Sequence, residues 1–174
     1  MTNSLNTDVL IIGAGAAGLT AAIAAYDSGA NVTVIGKGAK LGGTAAISGG
    51  IVWVPDNPQM NAKGIADNRE DALSYFRSLD HGEMNAETLE AFVDQGANAL
   101  EFLNSQGALE LHVLDGYPDY YLDHPGAKAE GGRALDNALF DFSTLGDWAD
   151  KIYNGGDIVR MMLLETPLGG GSGI

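Results

Sequence analysis

Gly13, Gly15 and Gly18, in the stretch "VLIIGAGAAGLT", are spaced GxGxxG, a pattern suited to holding phosphates. The first glycine permits a tight turn, the second lets backbone approach a pyrophosphate, and the third lets a helix pack closely on a strand. Ala16 and Ala17 then open a helix whose first N–H groups and positive dipole end face the phosphates. The triplet follows an apolar run, Val9–Ile12, and precedes an alanine-rich stretch and a β-branched run, Val32–Ile35. Strand, glycine turn, helix and strand within about thirty residues is the context in which this motif binds a dinucleotide. One position is off pattern. The acid expected at the end of the second strand to hold the adenosine ribose is replaced by Gly36. Either other groups hold the ribose, such as backbone at Gly36 or Lys37, or the affinity is reduced.

The segment "KLGGTAAISGGIVWVPDNP", Lys40–Pro58, points to which dinucleotide. A nicotinamide-binding domain has no need of two further glycine pairs directly after the second strand. A flavin, with its bulky planar ring, needs small side chains and free N–H groups on the adjacent backbone. The segment resembles the FAD-dependent fumarate reductase and ketosteroid dehydrogenase superfamily, and that resemblance makes Gly42, Gly43, Thr44, Ala45, Ser48 and Gly49 cofactor neighbours. In respiratory members a His near this Thr attaches the flavin covalently. Gly43 stands at the matching place here, so the resemblance implies noncovalent FAD.

A second stretch, "YPDYYLDHPGAKAEGGR" (Tyr117–Arg133), is similar to 3-ketosteroid Δ1-dehydrogenases, and the likeness runs over essentially the whole chain while covering only the N-terminal third of such an enzyme. The resemblance implies 1,2-desaturation beside a ketone, with a small apolar ketone or steroid as substrate. It places a tyrosine of the PDYY element in the active site, supporting a tyrosine base that comes from a later segment. Tyr120 matches that position, with Tyr121 as the alternative. A tyrosine that packs its ring while bonding its hydroxyl would look the same in sequence. A non-steroid substrate such as a dicarboxylate, or an inactive cofactor-binding remnant, are the competing readings. The final "ETPLGGGSGI" resembles the start of a segment that continues in the family, which suggests a truncated chain, inactive alone.

The elements that must position these groups give an α/β fold. A Rossmann-like FAD-binding βαβ unit with a parallel sheet occupies residues 1–66, as the N-terminal part of an incomplete domain. A mostly helical, acidic segment with the start of the substrate-site region occupies 67–174. Helix periodicity with Asp67 as cap predicts a helix to about Leu79, and Ala86–Asn104 predicts another, stopped by Gly107. Ile51–Val54 and Leu109–Leu114 read as strands. Ser143 is placed to cap a last helix through Trp148 and Ile152. Trp53 and Trp148 read as packing residues, and Arg133 as a surface ion pair.

Composition narrows the partners. The 174 residues carry a net charge of −14 and no cysteine. Residues 1–66 are balanced, so the remaining 20 acids and 6 bases supply the whole excess. No basic patch exists to replace counterions on nucleic acid. Disulfides and thiolate chemistry are excluded, and His81, His112 and His124 share no metal-ligand spacing. The apolar run Val9–Ala25 is interrupted by glycines and lacks an upstream cation, so it reads as buried strand and helix rather than signal peptide or membrane span. The expected compartment is the cytoplasm.

Overall fold

A computed structural model describes residues 4–153. They form two compact units, residues 4–50 with 140–153 and residues 51–139. The break after Gly50 lies ahead of the change in composition at Asp67.

In the first unit β1 (Val9–Ile12) and β2 (Val32–Ile35) pair in parallel, Val9 opposite Val32 and Ile12 opposite Ile35. Helix α1 (Ala16–Asp27) makes the crossover. Its alanines are strong helix formers with little bulk, so the helix lies close to the strands. It ends where Ser28 caps it and Gly29 turns the chain, the Gly29 N–H donating to the Tyr26 carbonyl at 2.9 Å. A 3₁₀ turn spans Gly43–Ile47. The expected helix from Ser143 is instead a 3₁₀ segment, Phe142–Lys151, capped by Asp141 and broken at Gly146. Leu41 bridges to Ile152 and ties the two stretches of the unit together.

The second unit holds a three-stranded antiparallel sheet ordered β3 (Val52–Trp53), β5 (Ala134–Asn137) and β4 (Leu111–Val113). β3 is shorter than the predicted Ile51–Val54. β5 was not expected, because Ala-Leu-Asp-Asn lacks the β-branched and aromatic residues that mark strands. It is nonetheless central, with Leu135 opposite both Val52 and Val113. Around the sheet lie α2 (Pro58–Ala62), α3 (Arg69–Leu79) and α4 (Ala86–Ser105). Leu135, Val54, Met60, Leu100, Leu111 and Val113 form the core.

The caps explain where the helices start. Asn57, Asn68 and Asn85 each accept a bond from the third helical N–H, satisfying a donor that the helix leaves free. Asn68, not Asp67, caps α3, because the Asp67 carboxylate is committed to Arg133. Glu70 and Asp71 in the first turn and Arg77 in the last complement the α3 dipole. Among the described residues no helix is long and apolar enough to cross a membrane.

Candidate functional site

The first unit carries a groove of about 800 Å³ at the C-terminal end of its strands. Gly13 ends β1, its N–H donating to the Ile35 carbonyl at 2.7 Å. A Cβ on Gly18 would lie 1.9 Å from the Gly13 oxygen, so only glycine lets α1 approach the turn. Gly15 caps α1 with extended backbone and no side-chain bond, leaving the first N–H groups, at Ala16 and Ala17, without a side-chain cap. The second glycine segment docks here: the Gly42 N–H donates to the Ala14 carbonyl at 2.7 Å, and a Cβ on Gly43 would fall 3.3 Å from the Gly15 Cα. Two glycine runs about thirty residues apart thus form one cradle.

Of the residues expected at the cofactor, Gly13, Gly15, Gly36, Lys37, Gly43 and Thr44 line the groove. Gly18 and Gly42 lie behind it and set the close approach. Ala45 and Ser48 are not in the lining, and the Ser48 hydroxyl is used within its own turn, donating to the Ala45 carbonyl at 2.8 Å. Gly49 lies outside the lining as well. Lys40 and Tyr153 line the groove without having been singled out by the sequence reading. Tyr153 is far away in sequence and reaches the site because its N–H donates to the Leu41 carbonyl at 2.8 Å. The free helix N-terminus and the missing side chains fit a pyrophosphate.

The second unit carries a separate hollow of about 440 Å³. Ile51, Trp53, Phe76, Leu79 and Phe92 provide apolar wall, and Tyr117, Tyr120 and Tyr121 bring hydroxyls to it. The Tyr120 side chain stands out at 80% exposure, and its hydroxyl shares a 3.1 Å hydrogen bond with that of Tyr117. That bond, and secondarily burial, raises the Tyr117 pKa above the ordinary phenol value. Tyr121 is held differently. Its N–H donates to the Tyr75 hydroxyl at 3.2 Å and its ring lies 5.4 Å from that of His124. Burial raises the Tyr75 pKa.

Behind the tyrosines sits a buried ionic network. Arg133 is fully buried, in contrast to the surface pair expected of it. Its Nε and Nη2 each donate to Asp67 at 2.7 Å, and Nη1 donates to Asp119 at 2.8 Å. The guanidinium lies 5.2 Å from the Trp53 ring centroid and 5.8 Å from that of Tyr75. Asp119 also accepts from the Trp53 indole at 2.7 Å and from the Lys128 N–H at 2.9 Å. Trp53 is therefore both a packing residue and a donor. Burial opposes ionisation of Asp67, but the Arg133 bonds and charge and the N–H groups of Asn68 and Asp56 outweigh it and hold the carboxyl below its usual range. A Cβ on Gly131 would collide with the Tyr117 carbonyl at 2.5 Å, so glycine at φ +79° lets the loop close on itself. Trp148, expected to pack, is 57% exposed and lies under the Lys151 ammonium at 4.0 Å.

The family whose sequence pattern matches residues 8–166 is the FAD binding domain family. The chain belongs to this family. As a member it takes FAD as its cofactor, and the groove's cradle fits that group. The chain is 39% identical over 150 residues to the 4-oxocyclohexanecarboxylate 2-dehydrogenase of Sinomonas cyclohexanicum, covering 86% of this chain and 26% of that enzyme. It is 35% identical to the 3-oxosteroid 1-dehydrogenase of Mycolicibacterium smegmatis, covering 80% of this chain and 24% of the relative. The crystal structure of 3-ketosteroid Δ1-dehydrogenase from Sterolibacterium denitrificans, in complex with 1,4-androstadiene-3,17-dione, superposes with a TM-score of 0.75 at 38% identity, over 86% of this chain and 27% of that one. The FAD binding domain chain thus spans about a quarter of the length of these relatives. It resembles FAD-dependent oxidoreductases of the ketosteroid dehydrogenase type.

Proposed function

We propose that this chain supplies the flavin-cradling N-terminal part of a cytoplasmic 3-ketosteroid 1,2-dehydrogenase, with noncovalently bound FAD. The observation that carries the substrate class is the lining of the second unit's hollow. Among the described residues its one charged lining residue, Asp119, is already committed to Arg133, Trp53 and Lys128. What remains is apolar wall and tyrosines, a surface that favours a neutral ring ketone over a dicarboxylate, for which no cation among the described residues lines the hollow.

FAD, when bound, supplies the acceptor for the hydride that leaves the carbon next to the α position. The chain's own residues serve the other half of the reaction. The α C–H bond breaks toward an oxygen base, and the proton must be held by hydroxyls near that base. Tyr120 is the hydroxyl best placed for this role: the residue is exposed and, among the described residues, its oxygen is tied only to another phenol. Tyr121 is anchored through backbone and ring and suits wall packing. On this reading the base and the donors that polarise the carbonyl come from chain beyond the quarter of the relatives' length matched here, so this chain alone is expected to turn over no ketosteroid.

Ligand binding tests the substrate class directly. Trp53 lines the hollow, so its fluorescence reports occupancy. A 3-ketosteroid is expected to perturb that fluorescence at lower concentration than a monocyclic oxo acid or a dicarboxylate does. Preference for either acid would overturn the steroid reading.

A further inference from the structure

Tyr120 is 80% exposed, so its own packing does not fix where its hydroxyl stands, and among the described residues that hydroxyl bonds only to Tyr117. A group that handles a proton must nevertheless be held to within about 0.5 Å. The residues on either side of it supply the hold. On one side Asp119, itself buried, closes the base of the loop: its N–H donates to the Lys128 carbonyl at 3.0 Å, and its carboxylate accepts the Lys128 N–H at 2.9 Å. The Trp53 indole and Arg133 Nη1 donate to the same carboxylate at 2.7 and 2.8 Å. On the other side the Tyr121 N–H donates at 3.2 Å to the hydroxyl of Tyr75, a buried residue of α3.

Both anchors rest on one guanidinium. Arg133 bonds Asp119, lies 5.8 Å from the centroid of the Tyr75 ring, and is fixed in its plane by two 2.7 Å bonds to Asp67. Taking an ion network out of water costs about as much as the network returns, and apolar side chains of the same volume are often as stable, so stability alone does not account for one beside this loop. What the network adds is a fixed direction for each of its hydrogen bonds.

We propose that Asp119 and Tyr75 are positioning residues that clamp the backbone on both sides of Tyr120 and so hold its hydroxyl at the hollow for the proton step. The inference rests on the proposed role of Tyr120 and adds the groups that set its place. Asp119 lines the hollow but acts through Tyr120, because its oxygens are already taken by three donors.

Tyr75→Phe tests one anchor cleanly, since it removes only the hydroxyl and leaves the ring beside Arg133 and Trp53. On the 174-residue chain, amide hydrogen exchange read by mass spectrometry should quicken in segment 120–124 while β4 and β5 keep their protection. In an enzyme that carries the relatives' remaining length, Tyr75→Phe should lower kcat roughly three- to tenfold with KM and the flavin spectrum unchanged, and in a Tyr120→Phe background it should lower kcat no further. Asp119→Asn, which sets an amide against donors that the carboxylate accepted, should lower kcat likewise, and again only while the Tyr120 hydroxyl is present. If that variant does not fold, Tyr75→Phe decides. A kcat loss that persists in the Tyr120→Phe background, a rise in KM alone, or unaltered exchange in segment 120–124 would overturn the proposal. If Tyr120→Phe slows turnover and Tyr75→Phe does not, the role of Tyr120 stands and this inference alone fails. If Tyr120→Phe turns over like the parent, that role and this inference fail together.

Discussion

Tyr120 and Arg133 show how differently single residues can be read. Tyr120 was visible in sequence because PDYY is a contiguous motif, but the motif alone does not separate it from Tyr121. The hydroxyl contact with Tyr117 supports choosing Tyr120 for the proposed role. Replacing Tyr120 with Phe in an enzyme that carries the relatives' remaining length is expected to lower kcat by roughly 10²-fold, the lower end for loss of a proton-handling group. The flavin spectrum should stay unchanged, since only a hydroxyl is lost. Equal turnover in this variant and the parent would return Tyr120 to a packing role.

Arg133 was illegible for a physical reason. Its partners Asp67 and Asp119 lie 66 and 14 positions away, so no local pattern marks it as buried. Removing one member of a buried ion pair leaves the other charge uncompensated, at a cost of about 3–5 kcal/mol. Arg133→Met should therefore lower the melting temperature of the chain sharply, as read by Trp53 fluorescence. The pH dependence follows from Asp67. Its folded pKa lies below the unfolded one, so the unfolded chain takes up the proton first as pH falls. The stabilisation is fully present above about pH 4 and is lost on acidification toward the folded value. Asp67→Asn should flatten the pH dependence of melting in that acid window. A slope identical to the parent's would remove Asp67 from the account.

At the scale of elements, the βαβ unit was legible because its determinants are local: an apolar run, a glycine turn, small helix formers and a β-branched run in unbroken succession. Strand β5 was not, since its place at the sheet centre is set by β3 and β4 rather than by its own composition. The α3 cap was misplaced by one residue because two adjacent polar side chains could each serve, and the buried arginine claimed one of them. The glycine turn offers a contrasted pair of substitutions. Gly18→Val puts a side chain where even a Cβ has 1.9 Å of space, and should unfold the turn and abolish FAD binding. Gly15→Ala meets nothing closer than the Gly42 oxygen at 3.8 Å, so it should leave melting unchanged while its methyl weakens FAD in the groove. Loss of stability in Gly15→Ala, or retained FAD affinity in Gly18→Val, would show that the cradle is not built as described.

At the scale of the whole molecule, the two units differ in chemistry: one carries a backbone-lined groove that fits a pyrophosphate, and the other a hollow walled by aromatic and apolar side chains, which we propose takes a ring ketone. The apolar residues Leu10, Ile12 and Ile35 of the first unit's strands remain exposed, Ile12 at 82%. Such surface favours association, so the isolated chain should elute larger than a monomer unless detergent is present. The central claim is that the first unit's groove is a flavin site and not a nicotinamide site, and a parallel equilibrium titration of the 174-residue chain with FAD and with NAD tests it most directly. Quenching of flavin fluorescence with a dissociation constant below that for NAD is the expected result. Tighter binding of NAD than of FAD would contradict it.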